Sequence, residues 1–112
     1  MKKPLLVCIC SLWLYSGNSI ALSDDQVSAV RDLGWLNGIA LQCGYFDQTR
    51  VMKKNLVEVV PKRREFGLAF DEASNESFLA FIDNREVCPA AAALAQDIGE
   101  SLQELRRIFS SQ

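Results

Sequence analysis

The sequence contains no histidine. That removes the side chain most often used as a general base, and with it papain-like cysteine chemistry and the histidine-containing zinc sites. A glycine-rich phosphate loop and a nucleophile elbow are missing as well, so two widespread signatures of phosphoryl and acyl transfer are absent. Positive charge is not in excess. There are 12 basic and 14 acidic residues, a formal net charge of −2, whereas a general nucleic-acid binder is strongly basic. No stretch keeps a period-two alternation long enough to argue for a sheet, and there is no internal repeat or low-complexity segment. The longest apolar run, Leu5 to Tyr15, is well short of the roughly 20 residues of a membrane-spanning helix. These absences lead us to expect no enzymatic activity, no metal or other cofactor, no nucleic-acid partner and no membrane span in the processed chain.

What is present begins with an export pattern. Lys2 and Lys3 precede the apolar run, Gly17, Asn18 and Ser19 close it, and Ser19-Ile20-Ala21 places small residues where a signal peptidase reads them. Cys8 and Cys10 lie inside the apolar run, not at the cleavage point where a lipoprotein signal carries its cysteine. The expectation is a cleaved signal peptide over 1–21 and one helical domain over 22–112, exported to the periplasm and soluble there. That domain has 91 residues, with 10 basic and 14 acidic side chains and a net charge of −4. A domain this small has a marginal core.

Removing the signal leaves two cysteines, Cys43 and Cys88. In an oxidising compartment two cysteines most simply form one disulfide. They are too far apart in sequence for a C-x-x-C redox pair, and two cysteines without histidine are too few for a zinc site. Apolar neighbours on both sides lead to the expectation of a buried bond. Closing a loop of that length stabilises a fold by about 4 kcal/mol on the chain-entropy account.

The helices read as follows. Ser23-Asp24-Asp25-Gln26 is a capping box whose acids suit the positive end of a helix dipole. The first helix runs to about Cys43, with Gly34 and Gly38 on one edge where a neighbouring backbone can come close. Gly44 ends it in a left-handed conformation. Asp47 is the expected N-cap of a second helix carrying Val51, Met52, Leu56, Val59 and Val60, and Pro61 stops that helix and can open the next. A third apolar stripe holds Phe66, Phe70, Ala73 and Phe81, and Ser74-Asn75 is the one place where this segment could either break or run on. Pro89 falls in the first turn of the last helix, where Leu94, Ile98, Leu102, Leu105 and Phe109 recur at steps of three and four. The fold class is all-α: a small, disulfide-stapled bundle of four helices, or five if Ser74-Asn75 divides the third.

The most unusual local feature is basic. Arg50, Lys53, Lys54, Lys62, Arg63 and Arg64 are six of the ten basic residues after the signal and lie within 15 positions. With Phe66 and Phe70 beside them they form the candidate partner-binding set, suited to an acidic protein or an anionic surface; a solvated helix face is the plain alternative. The aromatic residues Trp35, Tyr45, Phe46, Phe66, Phe70, Phe78 and Phe81 are expected mainly in the core, with one or two left to line a groove for a partner helix or strand. Of the carboxylate pairs, Asp24-Asp25 belongs to a helix start, Glu100 and Glu104 to a polar helix face, and Asp71-Glu72 flanks the Phe66/Phe70 stripe.

Trp35-Leu36 ahead of Cys43, a helical segment leading to Cys88, and a last amphipathic helix ending in Leu105-Arg106 together resemble the PulS/OutS type of secretin pilotin. The resemblance implies a small helical, disulfide-stapled periplasmic protein that binds the C-terminal segment of a secretin and escorts it to the outer membrane. Pilotins of this type usually carry a lipid, and this sequence has no lipobox. The chain is similar at the same level of pattern to HdeA-type acid chaperones of the periplasm, all-helical with one disulfide over a comparable spacing. The expected function is therefore a non-enzymatic, exported protein-binding module, pilotin-like or an assembly adaptor for an envelope or secretion machine. A periplasmic stress chaperone, or an immunity protein that neutralises a secreted toxin, are the alternatives.

Overall fold

In the computed structural model, which describes residues 23–110, four helices follow one another: α1 (Asp24–Gln42), α2 (Phe46–Val59), α3 (Arg64–Asp83) and α4 (Ala91–Ser110). The expected signal peptide and its cleavage after Ala21 lie outside the described residues. Within them no helix is long and apolar enough to cross a membrane.

Local chemistry explains most boundaries. Both halves of the capping box form at α1: the Gln26 amide donates to Ser23 Oγ at 3.2 Å, and the Ser23 amide donates to Gln26 Oε1 at 3.4 Å. At its other end Gly44 takes φ 73°, and the Tyr45 amide reaches back to the Ala40 carbonyl at 2.8 Å. This is the paired reversal that a left-handed residue permits. The turn delivers the chain directly into α2, so Tyr45 occupies the N-cap position and makes no side-chain cap. Asp47, expected as the cap, falls instead in the first turn of α2, where it pairs with Arg50.

Val60 is extended ahead of Pro61, as the proline ring demands. Pro61 does not open α3, which starts three residues later at Arg64. The last helix likewise begins at Ala91, two residues after Pro89, whose carbonyl accepts a bond from the Tyr45 hydroxyl at 2.8 Å. The third helix is continuous through Ser74-Asn75, so of the two readings, four helices or five, the four-helix one holds. Ser74 faces inward, its Oγ 2.9 Å from the Phe70 carbonyl one turn back and 3.0 Å from the Gly34 carbonyl. Its hydroxyl is thus engaged along the helix, and no cap forms.

α1 is the centre of the bundle and packs against all three other helices. On one side Val30, Leu33 and Ala40 meet Met52 of α2 and Leu94, Ile98, Leu102 and Leu105 of α4, all buried. On another, α3 lies almost against the α1 backbone. A β-carbon added at Gly34 would stand 2.6 Å from the Phe70 carbonyl oxygen and 3.0 Å from the β-carbon of Ala73, closer than real β-carbons come. The two glycines therefore set the approach of α3, as their spacing predicts. Buried Asn37 donates to Ser74 Oγ at 3.0 Å, and Ser77 Oγ donates to the Trp35 carbonyl at 2.6 Å, so this tight seam is bound by polar contacts as well as by packing. Arg31 and Glu76 cap it at the surface with an ion pair of 2.6 Å.

Cys43 and Cys88 form the disulfide, with α-carbons 5.7 Å apart across 45 positions. The expectation of a buried bond is corrected: Cys43 is half-buried and Cys88 exposed. One cysteine is the C-cap of α1 and the other lies in the extended segment before α4. A helix end and a connecting segment are places where the bundle offers little cover.

Candidate functional site

The structure separates the sequence-derived partner set into two groups. Arg50, Lys53 and Lys54 are exposed on α2, Lys62 is exposed in the turn after it, Arg63 is half-buried at the N-cap of α3, and Arg64 is exposed as the first residue of that helix. Of the six, Lys62 and Arg63 border one hollow at the α2–α3 turn. Phe66 and Phe70 instead belong to the core. They are 3% and 2% exposed, and Phe66 meets Phe109 of α4 edge-on with ring centres 5.2 Å apart. Neither ring can serve as a partner contact while the bundle is intact, because α3 packs this stripe against α1, with Phe70 beside Gly34, and Phe109 covers the edge of Phe66. Of the aromatic set expected mainly in the core, Trp35 and Phe46 are the members left outside it, 43% and 60% exposed.

Two depressions flank α2. At the α2–α3 turn, Leu56, Val57, Val60, Pro61 and the edge of Phe66 enclose a hollow of about 170 Å³ with Lys62 and Arg63 beside it. Between α2 and α4 runs a groove of about 220 Å³, lined by Asp47, Gln48, Val51, Ala95, Ile98, Gly99 and Leu102. Ile98 and Leu102 are buried residues at its floor, and Val51 is 48% exposed on its wall. Gln48 lies at one end, donating through Nε2 to the Ala91 carbonyl at 2.8 Å, while its buried Oε1 has no partner.

Gly99 is the feature of this groove that sequence reasoning passed over. It sits in the interior of α4, where glycine costs about 1 kcal/mol relative to alanine. Unlike Gly34 and Gly38, nothing lies within 4 Å of where its β-carbon would be. The fold does not require glycine there, and its absence of side chain leaves the groove open. The signal was available as a glycine inside the otherwise regular apolar pattern of the last helix.

The other edge of α4 forms an acidic cleft with α1, where Asp32, Asp97, Glu100 and Glu104 stand over Ala29 and Leu36. Arg107 closes one end and donates to Glu104 through Nε at 2.9 Å. That hydrogen bond holds the Glu104 carboxyl below its ordinary value. Of the Asp71-Glu72 pair, Glu72 is drawn toward Arg31 at 3.9 Å. Among the described residues no group of three or more acidic, cysteine or histidine side chains could hold a metal ion.

No protein-family model, no curated protein and no solved structure matches this chain.

Proposed function

We propose that the protein is an exported, non-catalytic adaptor that receives an amphipathic helical segment of another envelope protein in the groove between α2 and α4. One observation carries the reading: the groove is apolar, lies open on a folded bundle, and is held open by Gly99, which the fold itself does not need. From Ala95 to Leu102 it extends about 10 Å along α4, the length over which a two-turn helix places anchors three and four residues apart. The disulfide supports an oxidising compartment, which agrees with the export pattern read from the sequence. The resemblance to PulS/OutS pilotins supports a partner segment of the secretin type. A non-catalytic role is supported by the absence of histidine and by the arginine partners of Glu72 and Glu104.

Gly99→Leu tests the proposal. The side chain fills the groove from open space, so the variant should be as stable as the parent or more stable by up to about 1 kcal/mol. A photoreactive residue at Ala95 should cross-link one envelope protein in intact cells, and Gly99→Leu should abolish that adduct. A Gly99→Leu variant that keeps the same adduct would remove the groove from the account.

A further inference from the structure

We propose that the outer face of α2, with the turn that follows it, docks the protein on an anionic lipid surface. At roughly 100° per residue, Phe46, Arg50, Lys53 and Val57 fall within an arc of about 60°, with Lys54 beside them and Lys62 beyond Pro61. All six are exposed. Phe46 and Val57 are 60% and 65% exposed, and they stand about 16 Å apart along the helix with three cations between them. Among the described residues Arg50 has a carboxylate partner, Asp47, whereas Lys53, Lys54 and Lys62 have none within ion-pair distance.

Charge complementarity and shape point to the occupant. Within the described residues 23–110 acids outnumber bases, so net charge alone repels the protein from an anionic surface. Attraction requires one orientation, with α2 facing the surface and the acidic α1–α4 cleft on the other edge of α4. Most of the strip is a ridge of α2: Phe46, Arg50, Lys53 and Lys54 line neither of the depressions flanking α2, and only its far end, Val57 and Lys62, borders the shallow hollow at the α2–α3 turn. A polypeptide segment would touch such a ridge along one side only. A bilayer interface instead takes an aromatic and an aliphatic side chain into its apolar layer, while lysine and arginine reach the phosphates. The inference does not depend on the groove, because Val51 is turned about 130° around the helix from the line of Phe46 and Val57. The combination gives an exported chain without a lipobox a second means of holding a partner at a membrane.

The test is co-sedimentation of the oxidised protein, as recovered from the envelope fraction, with phosphatidylcholine vesicles containing or lacking phosphatidylglycerol. Binding is expected only with phosphatidylglycerol and should fade as salt rises. At about fivefold per cation near such a surface, Lys53→Gln/Lys54→Gln should weaken binding about 25-fold. Phe46→Ser should also weaken it but leave the salt dependence unchanged. These side chains are exposed, and unaltered helicity by circular dichroism confirms each variant. Gly99→Leu should bind vesicles like the parent, which separates this surface from the groove. Equal binding to neutral vesicles, indifference to the double substitution, or no binding to anionic vesicles would each overturn the proposal. Binding to soluble polyaspartate in place of vesicles would reassign the face to an acidic polypeptide.

Discussion

Gly38 of α1 and Ser77 of α3 are so close that a β-carbon on Gly38 would lie 2.7 Å from the Ser77 side chain, and nearer still to the Ser74 carbonyl oxygen. Backbone cannot retreat there as the end of a flexible side chain can. Gly38→Ala should therefore destabilise the protein by about 2–3 kcal/mol, the range for overpacked interiors. Urea denaturation measures this directly. A loss below about 0.5 kcal/mol would mean that α3 does not pack on α1 at this distance. Gly99→Ala, with open space around it, should change stability in the opposite direction.

The disulfide makes a second prediction. Oxidised protein should contain no free thiol under denaturing conditions, apart from any contributed by an unprocessed N-terminus. Cys43→Ala and Cys88→Ala should each cost about 2–5 kcal/mol, and the double variant no more than either, because each removes the same cross-link. Since Cys88 is exposed, a small thiol reductant should open the bond without prior unfolding. Mass spectrometry after alkylation in native buffer reads that outcome, and complete protection of both cysteines would contradict it.

Arg85 follows the C-cap of α3 at φ 52°, and the Glu86 amide bonds the Phe81 carbonyl at 3.1 Å. The reversal matches the one at Gly44, but with a side chain in the left-handed region. Arg85→Gly relieves that cost and should raise stability by about 0.5–1 kcal/mol, less whatever the unfolded chain gains in freedom. A shift of the thermal midpoint downward would show that the Arg85 side chain matters more than its backbone strain.

Acid stability follows from carboxylates alone, since no histidine titrates near neutrality. Arg107 holds Glu104 below its ordinary value. A group whose folded pKa is depressed contributes stability that is present above its unfolded value and is lost as pH falls through the folded one. Stability should thus stay level from about pH 8 to pH 5 and decline only at about pH 4 and below. Circular dichroism across a pH series checks this, and a cooperative change between pH 6 and 7 would contradict it.

Elements governed by near neighbours in the chain were legible without the structure. The serine-to-glutamine capping box, the left-handed Gly44 and the stop at Pro61 each depend on contacts within a few residues. The Cys43–Cys88 pair was legible by arithmetic, and the glycine edge of α1 by its spacing. Asp47 misled, and Ser74-Asn75 stayed open between a break and a continuous helix, because local propensity met a tertiary competitor. The turn at Gly44 left no room for Asp47 as a cap, and the Gly34 carbonyl drew Ser74 inward.

Periodicity assigns each helix an apolar face but not the neighbour that covers it, and this is where tertiary structure decided the candidate surfaces. Phe66 and Phe70 read as partner-binding candidates but are buried, Phe70 against α1 and Phe66 edge-on to Phe109, while Phe46 and Trp35 read as core residues and were left in solvent. The separation of the open Gly99 groove from the basic strip of α2 depends on how α2 and α4 are rotated about their axes. That rotation is set by the whole core at once, the single buried cluster to which Leu33 of α1, Met52 of α2 and Leu94 and Leu105 of α4 all belong. The sequence by itself determined an all-helical chain with one long-range staple, because helix signals and the single cysteine pair beyond the N-terminal apolar run need no knowledge of packing. Which side chains remain free to meet a partner or a membrane was determined only when four amphipathic faces competed for one small core.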